Sequence, residues 1–163
     1  MLAGREQKLS RPGLDIGYRF GHSMDAYGSQ VIVSSNADSK NQYASGSAHL
    51  YEKDANGTWA SIYEFRPSTD IENQRFGMDI SFRGNLMVAG TSTNFFTQPT
   101  PGAAYVFEGS GQTWTEVTKL NASDASNNDE FGNSVSAGSD RISVGAYLAD
   151  EGNHTNSGAA YIF

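Results

Sequence analysis

The sequence contains no cysteine, which excludes a disulfide framework, a thiol nucleophile and a thiolate zinc site. It also contains no apolar run approaching 18 residues, so we expect no helix that inserts into a membrane. Basic residues are scarce, because 11 Lys and Arg stand against 18 Asp and Glu and leave a net charge of −7. We therefore expect no nucleic acid and no anionic membrane surface as a partner.

Glycine, by contrast, is abundant at 18 of 163 residues, and the chain holds 9 Phe and 8 Tyr. Charged residues make up only 18% of the chain. These proportions are typical of many short strands joined by turns, and they disfavour a helical bundle. The length fits one domain better than two.

The chain repeats itself with a period of 55 or 56 residues. A Phe-Gly pair recurs at residues 20–21, 76–77 and 131–132. A triplet of small residues that begins with glycine recurs at residues 46–48, 102–104 and 158–160. Because both landmarks keep the same interval, we infer three tandem copies of one structural unit.

Each copy is predicted to contain four strands and no helix. Aromatic and β-branched residues predict a first strand over 133–137, a second over 141–146 and a third over 159–163. The fourth strand is clearest in the preceding copy, over 114–120. Four antiparallel strands in a tandem unit of this length predict the blade of a β-propeller, with the repeated Phe packed between adjacent blades.

The third copy also carries motifs with a known counterpart. Phe-Gly-x-Ser-Val at 131–135, Val-Gly-Ala at 144–146 and Ser-Gly-Ala-Ala-Tyr-Ile-Phe at 157–163 resemble the FG-GAP repeat of integrin α-chain propellers and bacterial surface proteins. The resemblance extends from Lys8 to Phe163. It implies a β-propeller, usually seven-bladed, that serves adhesion or ligand binding, with enzymes in a minority. It also suggests a secreted or cell-surface context, although residues 1–19 lack the long apolar core of a signal peptide.

The chain departs from that family where many members bind calcium, in an Asp-rich loop between the first two strands. Here the corresponding turns are short and offer at most one carboxylate each, at 27–30, 83–85 and 138–140. A calcium ion takes six to eight oxygen ligands. We therefore do not carry the calcium sites of the family over, and we expect no cofactor and no metal at these turns.

The repeat divides the chain into blades that are out of phase with its ends. Blade 1 is predicted at 20–65, blade 2 at 76–120, and blade 3, without its fourth strand, at 131–163. The Lys-Leu pair at 8–9 repeats the end of the fourth strand of blade 2. Residues 5–10 are therefore predicted to be an outer strand that completes a blade of another chain.

Three blades are too few to close a propeller, and each end of the arc would leave an open face and an unpaired strand edge. Two such arcs about a twofold axis would make a six-bladed ring, so we predict a homodimer held by strand exchange. A fragment of a longer propeller is the alternative, and a trimeric nine-bladed ring is disfavoured because propellers rarely exceed eight blades.

The loops between strands 2 and 3, and those between blades, are long and are predicted to share one face of the ring, the default binding surface. Phe95 and Phe96 form either a stacking platform for a sugar or protein, or a plug over the core. Arg19 and Arg75 either hold an anionic ligand or pair with loop acids. Five acidic residues either bind calcium or sugar hydroxyls or are solvated charge: Asp124, Asp129, Glu130, Asp150 and Glu151.

On the first strands, Asp25 and Asp79 share an alternating face with serines and are predicted to line the channel, around water or a cation. The alternative is an ordinary polar channel. The three histidines show neither metal-ligand spacing nor an obvious Ser–Asp partnership, so we interpret His22, His49 and His154 as structural or surface residues.

These observations favour a non-enzymatic binding or adhesion module that recognises a glycan or a protein through the loop face. One alternative is a glycan lyase or hydrolase built on the same ring, although no catalytic residues can be assigned from the sequence. Another is a purely structural ring, or part of a larger surface protein.

Overall fold

The computed structural model describes residues 6–11, 16–92 and 99–163, and this part of the chain forms three antiparallel sheets without a helix. The first two sheets have four strands each, and the third has three. The eleven strands in these ranges are β1 (Phe20–Tyr27), β2 (Gln30–Ser35), β3 (Ser47–Lys53), β4 (Trp59–Phe65), β5 (Ile80–Phe82), β6 (Leu86–Thr91), β7 (Ala103–Ser110), β8 (Thr113–Leu120), β9 (Phe131–Ala137), β10 (Ile142–Ala146) and β11 (Ala159–Ile162).

Each sheet is a meander, in which every strand pairs with the next one along the chain. Blade 1 is β1–β4, blade 2 is β5–β8 and blade 3 is β9–β11. The all-β prediction is confirmed, and the predicted strands of blade 3 agree with the observed ones to within two residues. The largest difference is at β9, which begins at Phe131 itself and not two residues later.

Side-chain chemistry explains why the strands end where they do. The turn between β3 and β4 is closed by Asp54, whose Oδ1 accepts the backbone N–H of Asn56 at 2.9 Å and of Thr58 at 2.8 Å. Gly57 follows with a φ of +85°, a left-handed conformation that favours glycine. This Asx turn joins the two strands as a hairpin.

The blades pack face to face, and the repeated Phe lies in the layer between them. Phe76 is fully buried and meets Phe107 of its own blade at a ring-centroid distance of 5.9 Å. Phe65, on the last strand of blade 1, lies 5.4 Å from the same ring of Phe107. Phe131 is fully buried in the equivalent layer, among residues of blades 2 and 3 such as Val106 and Val144.

The repeated glycines allow neighbouring backbones to approach closely. Gly46 forms a parallel bridge with Phe76, and Gly102 forms one with Phe131. A Cβ on Gly102 would lie 2.0 Å from the carbonyl oxygen of Phe131, and a Cβ on Gly46 would lie 2.2 Å from that of Phe76. Since no side chain fits at these distances, each junction between blades requires glycine.

Residues 6–11, here called the N-terminal arm, pair with no described strand of this chain. The arm lies against blade 1, where Gln7 donates its side-chain N–H to the carbonyl oxygen of Gly57 at 3.1 Å. The Tyr51 hydroxyl donates to the carbonyl oxygen of Ser10 at 3.4 Å. The predicted role of residues 5–10 as an outer strand of another chain stays a prediction.

Candidate functional site

The loop face is continuous from one blade to the next. The loop between β2 and β3 is hydrogen-bonded to the segment that enters blade 2: Asn73 N–H donates to the carbonyl of Tyr43 at 2.7 Å, and Arg75 N–H donates to that of Ala44 at 3.0 Å. Between blades 2 and 3, Asn128 N–H donates to the carbonyl of Thr100 at 3.1 Å. Backbone bonds therefore hold both classes of loop on one face of the sheets.

Arg19 and Arg75 line one pocket on this face, of about 210 Å³, together with Tyr18, Tyr43 and Asn73. The two arginines hold the same place in the repeat, one residue before the repeated Phe. Both have a left-handed backbone, with φ values of 55° and 53°. The structure thus brings Arg19 and Arg75 to one pocket, as the prediction that they act together requires.

Neither Arg19 nor Arg75 forms an ion pair with any residue that the structure describes. The charges of the two arginines nevertheless affect a neighbouring side chain. Burial lowers the pKa of His22, and the guanidiniums of Arg19 and Arg75 lower it further. No described loop acid forms an ion pair with either arginine, although the charge of Arg75 acts on the carboxyl group of Glu130.

In blade 3 the same repeat position is Glu130, which also has a left-handed backbone, with φ 59°. Its side chain is buried and accepts a short hydrogen bond from the Ser92 hydroxyl of blade 2. Burial raises the pKa of Glu130, although the Ser92 bond and the charge of Arg75 oppose the shift. The side chain of Glu130 thus contacts the preceding blade.

The other acidic candidates gather around Tyr161 of β11. Its hydroxyl donates to Asp124 Oδ1 at 2.8 Å, and burial, that bond and the charges of Asp124, Asp129 and Glu151 raise the pKa of Tyr161 to about 12. Asp150 accepts a backbone N–H from its own loop at 2.7 Å. Within the described ranges, no three His, Asp or Glu side chains lie close enough together to hold a metal ion.

Phe95 and Phe96 lie outside the described residues. The predicted choice between a stacking platform and a plug over the core therefore stays open.

Asp25 and Asp79 link the inner strands of successive blades. Asp25 Oδ2 accepts the backbone N–H of Phe82 at 2.8 Å, and Asp79 Oδ2 accepts that of Val135 at 2.9 Å. Ser81 repeats the pattern, since its hydroxyl accepts the N–H of Ala137 at 3.1 Å. Both predicted channel carboxylates thus satisfy backbone donors of the next blade.

A buried polar network on blade 1 escaped the sequence analysis. The Ser47 hydroxyl donates to Asp38 Oδ2 at 2.7 Å and lies 2.9 Å from His49 Nε2. Arg66 Nη2 contacts the same Asp38 oxygen at 2.7 Å, and Arg11 of the N-terminal arm forms a further short ion pair with it. Serine, histidine and aspartate do meet here, and the arm is anchored on them.

Burial, and then the charge of Arg11, lowers the pKa of His49 to about 4, so the imidazole is neutral at pH 7. Burial would raise the pKa of Asp38, but hydrogen bonds from Ser47 and Lys40 and the charges of Arg66 and Arg11 keep it below its ordinary value. In a catalytic triad histidine stands between serine and aspartate. Here the serine is in the middle, which is the arrangement of a structural network.

One signal in the sequence marks this network. Ser47 and His49 occupy positions where the other two copies have only Ala or Tyr, at residues 103, 105, 159 and 161. The two other histidines behave as interpreted: His22 and His154 are exposed.

Comparison with known proteins identifies the repeat. Residues 114–163, which contain β9 to β11 and all of β8 but its first residue, match the family model of the FG-GAP repeat, and this confirms the resemblance over these residues. No curated protein matches the chain. None of the described segments is a helix long and apolar enough to cross a membrane. An FG-GAP repeat on three stacked meander sheets indicates a β-propeller-type binding or adhesion module.

Proposed function

We propose that this chain, which carries an FG-GAP repeat, is a non-enzymatic binding module that recognises a glycan or a protein through its loop face. The observation that carries the proposal is the pocket between blades 1 and 2, where loops of two blades bring Arg19, Arg75 and Tyr43 together. The backbone bonds of Asn73 and Arg75 hold this surface on rigid sheets. Binding residues are commonly presented in this way.

A glycan-active enzyme on the same scaffold is the alternative. Its best candidate group among the described residues is Ser47, His49 and Asp38, and these side chains are exposed by 2% at most. The Ser47 hydroxyl donates its proton to Asp38, so His49 is not placed to accept it. The arrangement of these three side chains therefore favours a structural role over a catalytic one.

A glycan array tests the binding proposal. Tyr43 is 67% exposed on the loop face, so Tyr43→Ala is expected to weaken binding without unfolding the protein. Asn85→Ala, on an exposed turn at the opposite end of the sheets, is the control. The double change Phe95→Ala, Phe96→Ala tests the platform. Binding that survives the loop-face changes and disappears with Asn85→Ala would refute the proposal.

We further propose that two copies of this arc close a six-bladed ring. The two ends of the arc expose surfaces that are buried inside it. Leu50, Val106 and Ile162 hold equivalent places on the third strands, but the first two are 0% and 3% exposed and Ile162 is 61% exposed. Gly158 matches Gly102, yet a Cβ on Gly158 would meet nothing closer than 3.2 Å. No described blade of this chain covers Ile162 and Gly158, and a blade of a second copy would.

The hydrogen bonds between inner strands also support a ring closed by a second copy. The residues three and five places after each repeated Phe accept backbone N–H groups of the next blade, as Asp79 and Ser81 do for blade 3. In blade 3 these places are Ser134 and Ser136, which are exposed. A blade that begins with Phe20 of a second copy would supply the missing donors.

The N-terminal arm supports a second copy as the partner. The ion pair between Arg11 and Asp38 holds the arm against blade 1, on the side away from blade 2. Leu9 of the arm corresponds in the repeat to Leu120, which ends β8 and packs in the layer against blade 3. In this proposal the arm supplies the fourth strand of a blade by pairing with β11 of another molecule.

Light scattering at micromolar concentration tests the ring. The chain is expected at twice its mass of 17.5 kDa. Ser136→Arg puts a bulky charge on the face where the partner would pack and is expected to yield a monomer. Ser139→Arg, on an exposed turn, is the matched control and is expected to stay dimeric. A wild-type monomer would overturn the ring and leave the loop-face proposal standing.

A further inference from the structure

We propose that the pocket of Arg19 and Arg75 binds the carboxylate of an acidic sugar. The inference rests on the proposed binding function of the loop face, and it specifies the chemistry that this face recognises. Its evidence comes from the charges, the shape and the side chains of the pocket.

The other described arginines all have partners within the chain. Arg11 and Arg66 both pair with Asp38 and Glu64, and the exposed Arg141 pairs with Asp140 at 2.8 Å. Arg83 forms no ion pair but donates its side-chain N–H to the carbonyl oxygen of Ala137 at 2.9 Å. The chain has 18 acidic residues against 11 basic ones, so acids are available for every cation. Arg19 and Arg75 differ from these four, because neither forms an ion pair or a side-chain hydrogen bond with any described residue, and their donors are available to an anion from outside.

The shape of the guanidinium group suits a carboxylate. Each guanidinium presents several N–H donors in a planar fork, and a carboxylate offers two oxygens that accept bidentate bonds. Arg75 is half-buried, so part of the water that would screen its charge is already removed. Nearby Ser39 is occupied, because its hydroxyl donates to the carbonyl of Ala37 and accepts the N–H of Ala44. The arginines thus dominate recognition in the pocket.

The aromatic side chains of the pocket favour a sugar as the carrier of the carboxylate. Tyr18 and the 67% exposed Tyr43 line the same pocket, and aromatic rings offer apolar faces on which a sugar ring can stack. The pocket, at about 210 Å³, lies below the range usual for drug-sized ligands. That size suits one charged sugar unit of a chain whose remaining units lie across the loop face.

Calorimetry with oligogalacturonate tests the inference, and the methyl-esterified form of the same oligosaccharide is the matched ligand without charge. Wild-type protein is expected to bind the acid form about tenfold or more tightly than the ester, because charge-assisted hydrogen bonds are lost on esterification. Arg19→Gln and Arg75→Gln are each expected to remove most of that preference. Arg141→Gln deletes the same charge far from the pocket and is the control.

Five outcomes are informative. Preference for the acid form, lost in both pocket variants and kept in Arg141→Gln, supports the inference. Equal binding of acid and ester overturns it, and so does an unchanged preference in the pocket variants. Binding of polyglutamate in place of either sugar shows an acidic peptide as the ligand and also overturns it. If neutral glycans still bind the two arginine variants but no longer bind Tyr43→Ala, the loop-face proposal stands although the acidic-sugar inference has failed.

Discussion

The carboxylate of Asp79, at the start of blade 2, accepts the backbone N–H of Val135 in β9 at 2.9 Å. The same carboxylate also accepts the Ser23 hydroxyl of β1 at 3.0 Å. One side chain therefore joins the inner strands of three blades. It does so where β9 has no strand partner of its own on that side.

Removing this carboxylate should loosen the whole arc. Asp79→Ala leaves the N–H of Val135 without its acceptor, which should lower the free energy of unfolding by about 1–3 kcal/mol in urea titrations. Asp140→Ala is the comparison, because Asp140 is exposed and pairs only with its neighbour Arg141, and surface pairs contribute about 0–1 kcal/mol. Equal stability of the two variants would show that the link between blades contributes little.

The junction between blades 2 and 3 should not tolerate a methyl group. Gly102→Ala places a Cβ 2.0 Å from the Phe131 carbonyl oxygen, at a φ of +88°. Gly111→Ala shares the left-handed backbone, with φ +55°, but its Cβ meets nothing within 4 Å. We expect thermal unfolding to show a loss of about 1–2 kcal/mol for Gly111→Ala, from backbone strain alone. Gly102→Ala should lose clearly more, and matching losses would mean that the close approach is relieved without cost.

His49 should make stability depend on pH in a defined window. Its pKa is about 4 when folded and 6.5 ordinarily, so the unfolded chain binds the extra proton between these values. Stability should therefore fall as pH drops from 6.5 to 4, by about 3 kcal/mol at most for this group. The contribution of His49 is lost below pH 4 and fully present above pH 6.5.

Urea unfolding of the wild type and of His49→Gln between pH 7 and pH 4 measures this effect. Glu130, whose pKa is raised, acts in the opposite direction near the acid end, but it is present in both proteins and cancels in the comparison. The variant should lose less stability than the wild type over this range. Parallel curves for the two proteins would exclude His49 as the titrating group.

Local patterns were sufficient for the strands and for the order of the blades. The alternating and aromatic-rich runs around Tyr161 and Trp114 predicted β11 and β8 to within one residue at each end. Phe76 and Phe131 lie in the layers between blades, as predicted, while Phe20 lies at the end of the arc. Such features depend on propensity and on period, which neighbouring residues determine together.

The polar contacts were harder to anticipate. Asp38, Ser47 and His49 fall within twelve residues, but Arg11 and Arg66 reach them from separate segments. No spacing rule connects an arm residue, a loop residue and a residue after β4. The network exists because the meander brings the ends of these segments to one side of blade 1.

By itself, the sequence determined that this protein repeats a four-stranded unit, because Phe-Gly pairs, small triplets and turn residues act locally and recur at one interval. Only the tertiary structure decided which charges meet. Arg66 is neutralised by Asp38, while Arg19 and Arg75 stay together in one pocket without an ion pair among the described residues. Coulomb energies depend on distances through space and on burial, and both follow from how the blades stack.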